Sequence, residues 1–336
     1  MDLDRYLATH EPKWKRLEEL SKGGRRGLKR RTNAEVDELV SLYQQVSSDL
    51  SHVRTYYRDQ GLIGYLTGVV NGAGNLIYGT KPRSFRSFGR FFSITFPAAL
   101  WHARRALLIS TLAFFIPAVA GGVWVANSDA AANAALPEDA RDAYIEEDFE
   151  EYYASERASQ FSALVATNNV QVSVLAFGSG IALAVPTIFV LAFNGVNIGT
   201  IAGIFNVVDQ DARFYGLILP HGLLEITAIL IAGAAGLRIG WSIISPGDRT
   251  RSESLARESL RAVTIIVGLV PVFVVAGLIE GFVTGQPWPA ALRVGIGTLT
   301  WAAFLIYVFL QGRKAEARGF TGTIDEQKSL GWAQTS

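Results

Sequence analysis

The run "LPHGLLEITAILIAGAAGLRIG", Leu219–Gly240, decides how the rest of the chain is read. It is long and apolar enough to cross a bilayer, which takes about 20 residues for a ~30 Å core. Yet His221 and Glu225 stand four residues apart in it, on one side of the same helix. Ionisable groups in hydrocarbon are costly and face a protein interior or a wet cavity. At about 100° per residue, His221, Glu225, Ala228 and Ala232 share a sector of roughly 60°, with Gly236 beside them and Gly240 a turn further on. The face is ionisable in its first half and small in its second. Small residues let helix backbones approach, so this face is expected to meet other helices rather than lipid.

Outward from this run, Leu107–Ala126, Val170–Phe193, Tyr215–Ile239, Ala262–Val283 and Ala290–Leu310 are comparable apolar stretches. The chain is 49% hydrophobic and only 18% charged, and its mean hydropathy is positive. These features predict an all-α, polytopic helical membrane bundle with five long spans. Mostly polar, basic sequence precedes the first apolar run, which is therefore expected to act as an internal anchor rather than a cleaved signal. Cysteine is absent, which excludes disulfides and cysteine metal ligands and leaves the redox side open.

Charge sets an expected orientation. Residues 1–105 hold 18 Lys/Arg against 10 Asp/Glu, whereas 127–169 hold 10 Asp/Glu against Arg141 and Arg157. By the positive-inside rule the former is cytoplasmic and the latter external. Arg249, Arg251, Arg257 and Arg261 put the loop after the third long span inside, and Arg313, Lys314 and Arg318 put the C-terminus inside. Five crossings cannot join two inside ends. The additional pass is expected at "NGVNIGTIAGIFNVV", Asn194–Val208, as a short or broken crossing; a simple helix–turn at Asn194–Gly195 is the alternative. The domains expected are a basic cytoplasmic helical region (1–105), a transmembrane bundle (106–311) with its acidic loop, and a cytoplasmic tail (312–336).

Glu280, in "GLIEGFVTG", is a second acid inside an apolar span. Three readings of His221, Glu225 and Glu280 stay open. One is a polar clasp, with Asn194 and Asn197 as further contacts; another is a proton or ion pathway; the third is a metal site, for which no HExxH spacing is present. No metal or cofactor is assigned. Gly195, Gly199 and Gly203 form one small-residue ladder and Gly277, Gly281 and Gly285 another, for packing within the chain or for a homodimer face. His10, His52 and His102 lack a nucleophile partner, and no nucleotide or hydrolase fingerprint occurs. A non-enzymatic protein is expected.

In the N-terminal region, Val36, Leu39, Tyr43, Val46, Leu50, Val53 and Tyr57 alternate in steps of three and four, after a capping-box pair Thr32 and Glu35. A helix packed on Leu62–Tyr78 is expected, with a coiled coil to a second chain as the alternative. The basic run "KGGRRGLKRR", Lys22–Arg31, and the aromatic Phe91, Phe92, Phe96 and Trp101 beside Arg104 and Arg105 suit anionic headgroups and the bilayer interface. Nucleic-acid binding lacks a supporting fold. Tyr144, Phe149, Tyr152 and Tyr153 punctuate the acidic loop, which is a solvated connector or a docking surface for an external partner.

Taken together, "LVSLYQQVSSDLSHVRTYY", "LPHGLLEITAILIAGAAGLRIG" and "GLIEGFVT" resemble the stage II sporulation protein M family of bacterial membrane proteins, from about Ala34 to Leu310. The resemblance implies an integral cytoplasmic-membrane component without chemistry of its own, similar to a scaffold for envelope-remodelling partners. His221, Gly222 and Glu225 would be its signature positions and Glu280 the acidic position of the later span. The chain departs from the family at "NGAGN", Asn71–Asn75, where Arg and His are common, and in its long basic N-terminal region. A membrane scaffold that recruits other membrane or envelope proteins is the preferred expectation, and a transporter or channel subunit the rival.

Overall fold

The computed structural model describes residues 3–28, 31–57, 59–78, 85–143 and 158–324. Tyr144, Phe149, Tyr152 and Tyr153, with Lys29 and Arg30 of the basic run and residues 144–157 of the acidic loop, lie outside these. Among the described residues every regular element is helical. The chain divides into two units, Met1–Ser84 and Phe85–Ser336.

The first unit clusters α1 (Leu3–Ser21), α2 (Asn33–His52) and α3 (Gln60–Ile77). α2 starts at its capping box: the Glu35 amide donates to Thr32 Oγ1 at 3.3 Å, and the Thr32 amide donates to the Glu35 carboxylate at 2.8 Å. Leu39, Val46, Leu50 and Val53 are buried in one core with Leu66, Val69 and Ala73 of α3 and with Trp14, Leu17 and Leu20 of α1. The three-four seam thus finds its partners within the chain. Asp49 is buried in this core and accepts from Trp14 Nε1 (2.8 Å) and the Tyr6 hydroxyl (3.3 Å), as a buried carboxylate must. Burial, with Asp49 next in importance, pushes the Tyr6 phenol up to about 12.

In the second unit a short helix Phe85–Arg90 and wide turns Phe91–Thr95 lead into α4 (Phe96–His102). Long helices follow: α5 (Arg104–Ala126), α6 (Ala158–Gly178), α7 (Val185–Val207), α8 (Asp211–Ile244), α9 (Arg251–Ile279) and α10 (Ala290–Ala317). α9 runs on in π-type turns, Glu280–Thr284. Five of these, α5 and α7 to α10, are long and apolar enough to cross a membrane.

The expected span Val170–Phe193 is not one helix. α6 stops at Gly178, and Ser179–Ala184 form a turn in which Leu183 (φ 57°) and Ala184 (φ 67°) are left-handed. Pro186 then occupies the first turn of α7, where its missing N–H costs nothing. Asn194–Val208 is accordingly not a separate short crossing: Asn194–Val207 is the second half of α7, and Val208 caps it. Among the described residues, α6 supplies the additional long helix.

α8 is the hub, packed on α5, α6, α7, α9 and α10. Its small face works as expected. A Cβ on Gly236 would lie 2.3 Å from the Ala176 carbonyl oxygen of α6, and one on Gly240 2.3 Å from the Ala184 amide. Ala232 is buried in the main core. Likewise Gly195, Gly199 and Gly203 let α7 press on α5: Cβ atoms there would approach the carbonyls of Phe114, Ala118 and Gly122 to 2.1, 2.0 and 2.7 Å. By contrast, Gly277 and Gly281 meet nothing within 4 Å among the described residues. Polar bonds tie α8 to two further neighbours, with Ser110 Oγ of α5 donating to the Leu230 carbonyl (2.8 Å) and Trp301 Nε1 of α10 to Thr227 Oγ1 (2.9 Å).

The aromatic run before α5 is divided between the core and the surface, with Phe92 and Trp101 half-buried. Phe91 and Phe96 are buried in the bundle core, and Phe96 lies against Gly268. The wide turns at Phe91–Thr95 fold the segment inward. Trp101 donates to Glu316 of α10 at 2.6 Å while Arg104 stacks on its ring, and the Phe92 carbonyl accepts from the Tyr307 hydroxyl.

Candidate functional site

α8 carries His221 and Glu225 one turn apart, and both are buried, at 2% and 1% exposure. Each is engaged by a different neighbouring element. Asn169 of α6 donates its amide to Glu225. His221 Nδ1 lies 3.1 Å from Thr284 Oγ1, at the end of the π-type turns after α9. The Thr284 hydroxyl is also within 3.4 Å of the Ile279 carbonyl, to which it donates. From α10, Arg293 Nη1 donates to the Thr284 backbone carbonyl at 2.5 Å. Three helices are thereby tied to α8 or to the segment it holds.

Glu280 opens the π-type turns and is 1% exposed. The turns it opens pack on α8, the helix that carries Glu225. Both of its carboxyl oxygens lack a hydrogen-bond partner among the described residues, as do the second oxygen of Glu225 and the hydroxyl of Ser173. Ser173 lies one turn along α6 from Asn169, on the same face. Among the described residues no three of His, Asp and Glu converge as a metal-holding group.

Other expected members stand apart. Asn194 donates to the Val190 carbonyl of its own helix at 2.7 Å, and Asn197 is exposed. Neither contributes to the clasp, because both belong to the continuous helix α7; Asn169 takes the place expected of them. Gly222 is buried, and the nearest atom to its Cβ position is the Ile218 side chain at 3.0 Å, with no neighbouring backbone involved.

A second polar cluster, unmarked in the sequence, sits at the other end of α8. Glu258 of α9 accepts from Arg238 Nε of α8 (2.8 Å) and from Arg261. Arg238 Nη2 lies 2.9 Å from His102 Nε2 of α4, and Arg261 Nη2 donates to Thr321 Oγ1 at 2.9 Å. Burial, then the positive charge of Arg238 and Arg261, holds His102 down to about 4.

An all-helical bundle with ionisable residues clasped inside it defines a polytopic membrane protein. The family model described as Stage II sporulation protein M matches residues 111–285, just over half the chain, and the chain belongs to that family. The match begins well after Ala34; residues 4–79 instead match a domain of unknown function, DUF8413. Over 125 residues the chain is 30% identical to "Uncharacterized protein MJ0793" of Methanocaldococcus jannaschii, a stretch covering 36% of this chain and 68% of that relative. No solved structure matches.

Proposed function

We propose that the chain is a non-enzymatic membrane scaffold, an assembly subunit that presents a rigid bundle and a separate helical unit to partner proteins of the membrane or envelope. The observation that carries this reading is where the signature polar groups spend their bonds. His221 and Glu225 are each engaged by a different neighbouring element, an arrangement that fixes helix position and register. The first unit has its own core and offers its outer faces to partners. Its basic segment would hold anionic headgroups, with both chain ends in the cytoplasm and the acidic loop outside. Gly277 and Gly281, which meet nothing within 4 Å among the described residues, are where a second copy would pack.

A transport role is the second reading, favoured by the carboxyl of Glu280, which no neighbour engages among the described residues. Proteoliposomes separate the two. The scaffold reading expects no proton or cation flux from the parent chain, and expects Glu225→Gln and Glu280→Gln to keep the partners that co-purify with the parent from native membranes. Flux that disappears in either variant would establish transport instead.

A further inference from the structure

A carboxyl group buried in a membrane bundle is normally explained by its partner. Glu225 has one in Asn169. Glu280 has none: both oxygens are shut from solvent and from every donor among the described residues. Two penalties would fall on a bare carboxylate there: the loss of hydration at 1% exposure, and the repulsion of a second acid, Glu225, on the helix packed against these turns.

The other charged or titratable groups on the packed elements do not relieve them. His221 faces Thr284. Arg293 directs Nη1 to the Thr284 carbonyl and leaves Nε unpartnered, making no ion pair with Glu280. α6 contributes Asn169 and Ser173 and carries no charged residue. The backbone is irregular at this point as well, since the π-type turns begin at Glu280 itself. Single widened turns inside helices recur at functional sites because they redirect side chains that a regular helix would aim elsewhere.

We propose that Glu280, with Glu225 beside it, forms a membrane-embedded proton-binding site, in which one exchangeable proton is held as the carboxylic acid of Glu280. A proton suits the site better than a metal cation. The unpartnered oxygens are the two of Glu280, one of Glu225 and the Ser173 hydroxyl, too few for a hard cation, which takes about six oxygen ligands. One proton removes both penalties at once and needs no further ligand. The inference does not rest on the scaffold role, since a proton held here would equally tune how tightly α9 docks on α8.

The test uses dicyclohexylcarbodiimide on the full-length protein in detergent micelles, with adducts located by peptide mass spectrometry. The acid's proton passes to a carbodiimide nitrogen as its oxygen attacks the central carbon, and rearrangement leaves a stable N-acylurea with no leaving group. An ionised carboxylate does not enter this path. The expected result is an adduct at Glu280, with exposed Glu253 and Glu316 unlabelled, whose yield falls about tenfold per pH unit once the acid titrates. Glu280→Gln should abolish the adduct. Labelling that ignores pH, or that is confined to the exposed acids, would overturn the proposal. Protection by sodium chloride relative to choline chloride would overturn it in favour of a metal-cation site. Should the variant fail to fold, the pH series on the parent chain decides alone.

Discussion

Neutralising Glu258 would strand two guanidinium groups, Arg238 and Arg261, that now share its oxygens. Breaking a buried pair from one side is costly, so Glu258→Gln is expected to lower unfolding free energy by about 3 kcal/mol in denaturant titrations of the micellar protein. A loss below about 1 kcal/mol would class the cluster with ordinary surface pairs. His102 adds a pH dependence to the same cluster. Its folded value, about 4, lies below the ordinary histidine value, so the unfolded chain binds the proton more readily. Stability is then fully present above about pH 6.5, declines as pH falls, and levels off below the folded value. His102→Gln should flatten that part of the curve, and an unchanged slope would contradict the assignment. His221, Glu225 and Glu280 were legible in the sequence because a charge-capable residue inside an apolar run is conspicuous. Asn169 and Thr284 were not, since an uncharged polar residue near the end of an apolar run carries no such signal. The partnership of His102 with Arg238, 136 residues apart, is beyond any local pattern.

Close backbone approach governs the element scale. On α7, a methyl at Gly199 would collide with the Ala118 carbonyl at 2.0 Å, whereas one at Gly281 meets open space. Gly199→Ala is therefore expected to cost about 2 kcal/mol through forced separation of α5 and α7, and Gly281→Ala to stay within about 0.5 kcal/mol. Equal effects on thermal unfolding would refute the distinction. The two glycine ladders read alike in sequence; only the fold tells which one is occupied. The break between α6 and α7 was likewise hidden, because hydropathy runs unbroken through residues 170–193 while the Gly178, Gly180 and Pro186 punctuation sits inside it. The α2 start was readable because a capping box is local chemistry.

At the scale of the whole molecule, apolar length predicts the five long membrane-spanning helices, and charge asymmetry predicts their orientation. With α6 as the additional long helix, reporters fused at Gln210 and Gln286 should both signal from outside and one at Gly247 from the cytoplasm; a cytoplasmic signal from Gln210 would contradict that arrangement. The central claim is that His221 of α8 is a structural clasp. A double-mutant cycle over His221→Ala and Thr284→Val, read by unfolding in mixed micelles, tests it most directly. The clasp predicts a coupling energy of about 0.6 kcal/mol or more, the scale of hydrogen bonds between membrane helices. Strict additivity of the two substitutions would contradict it.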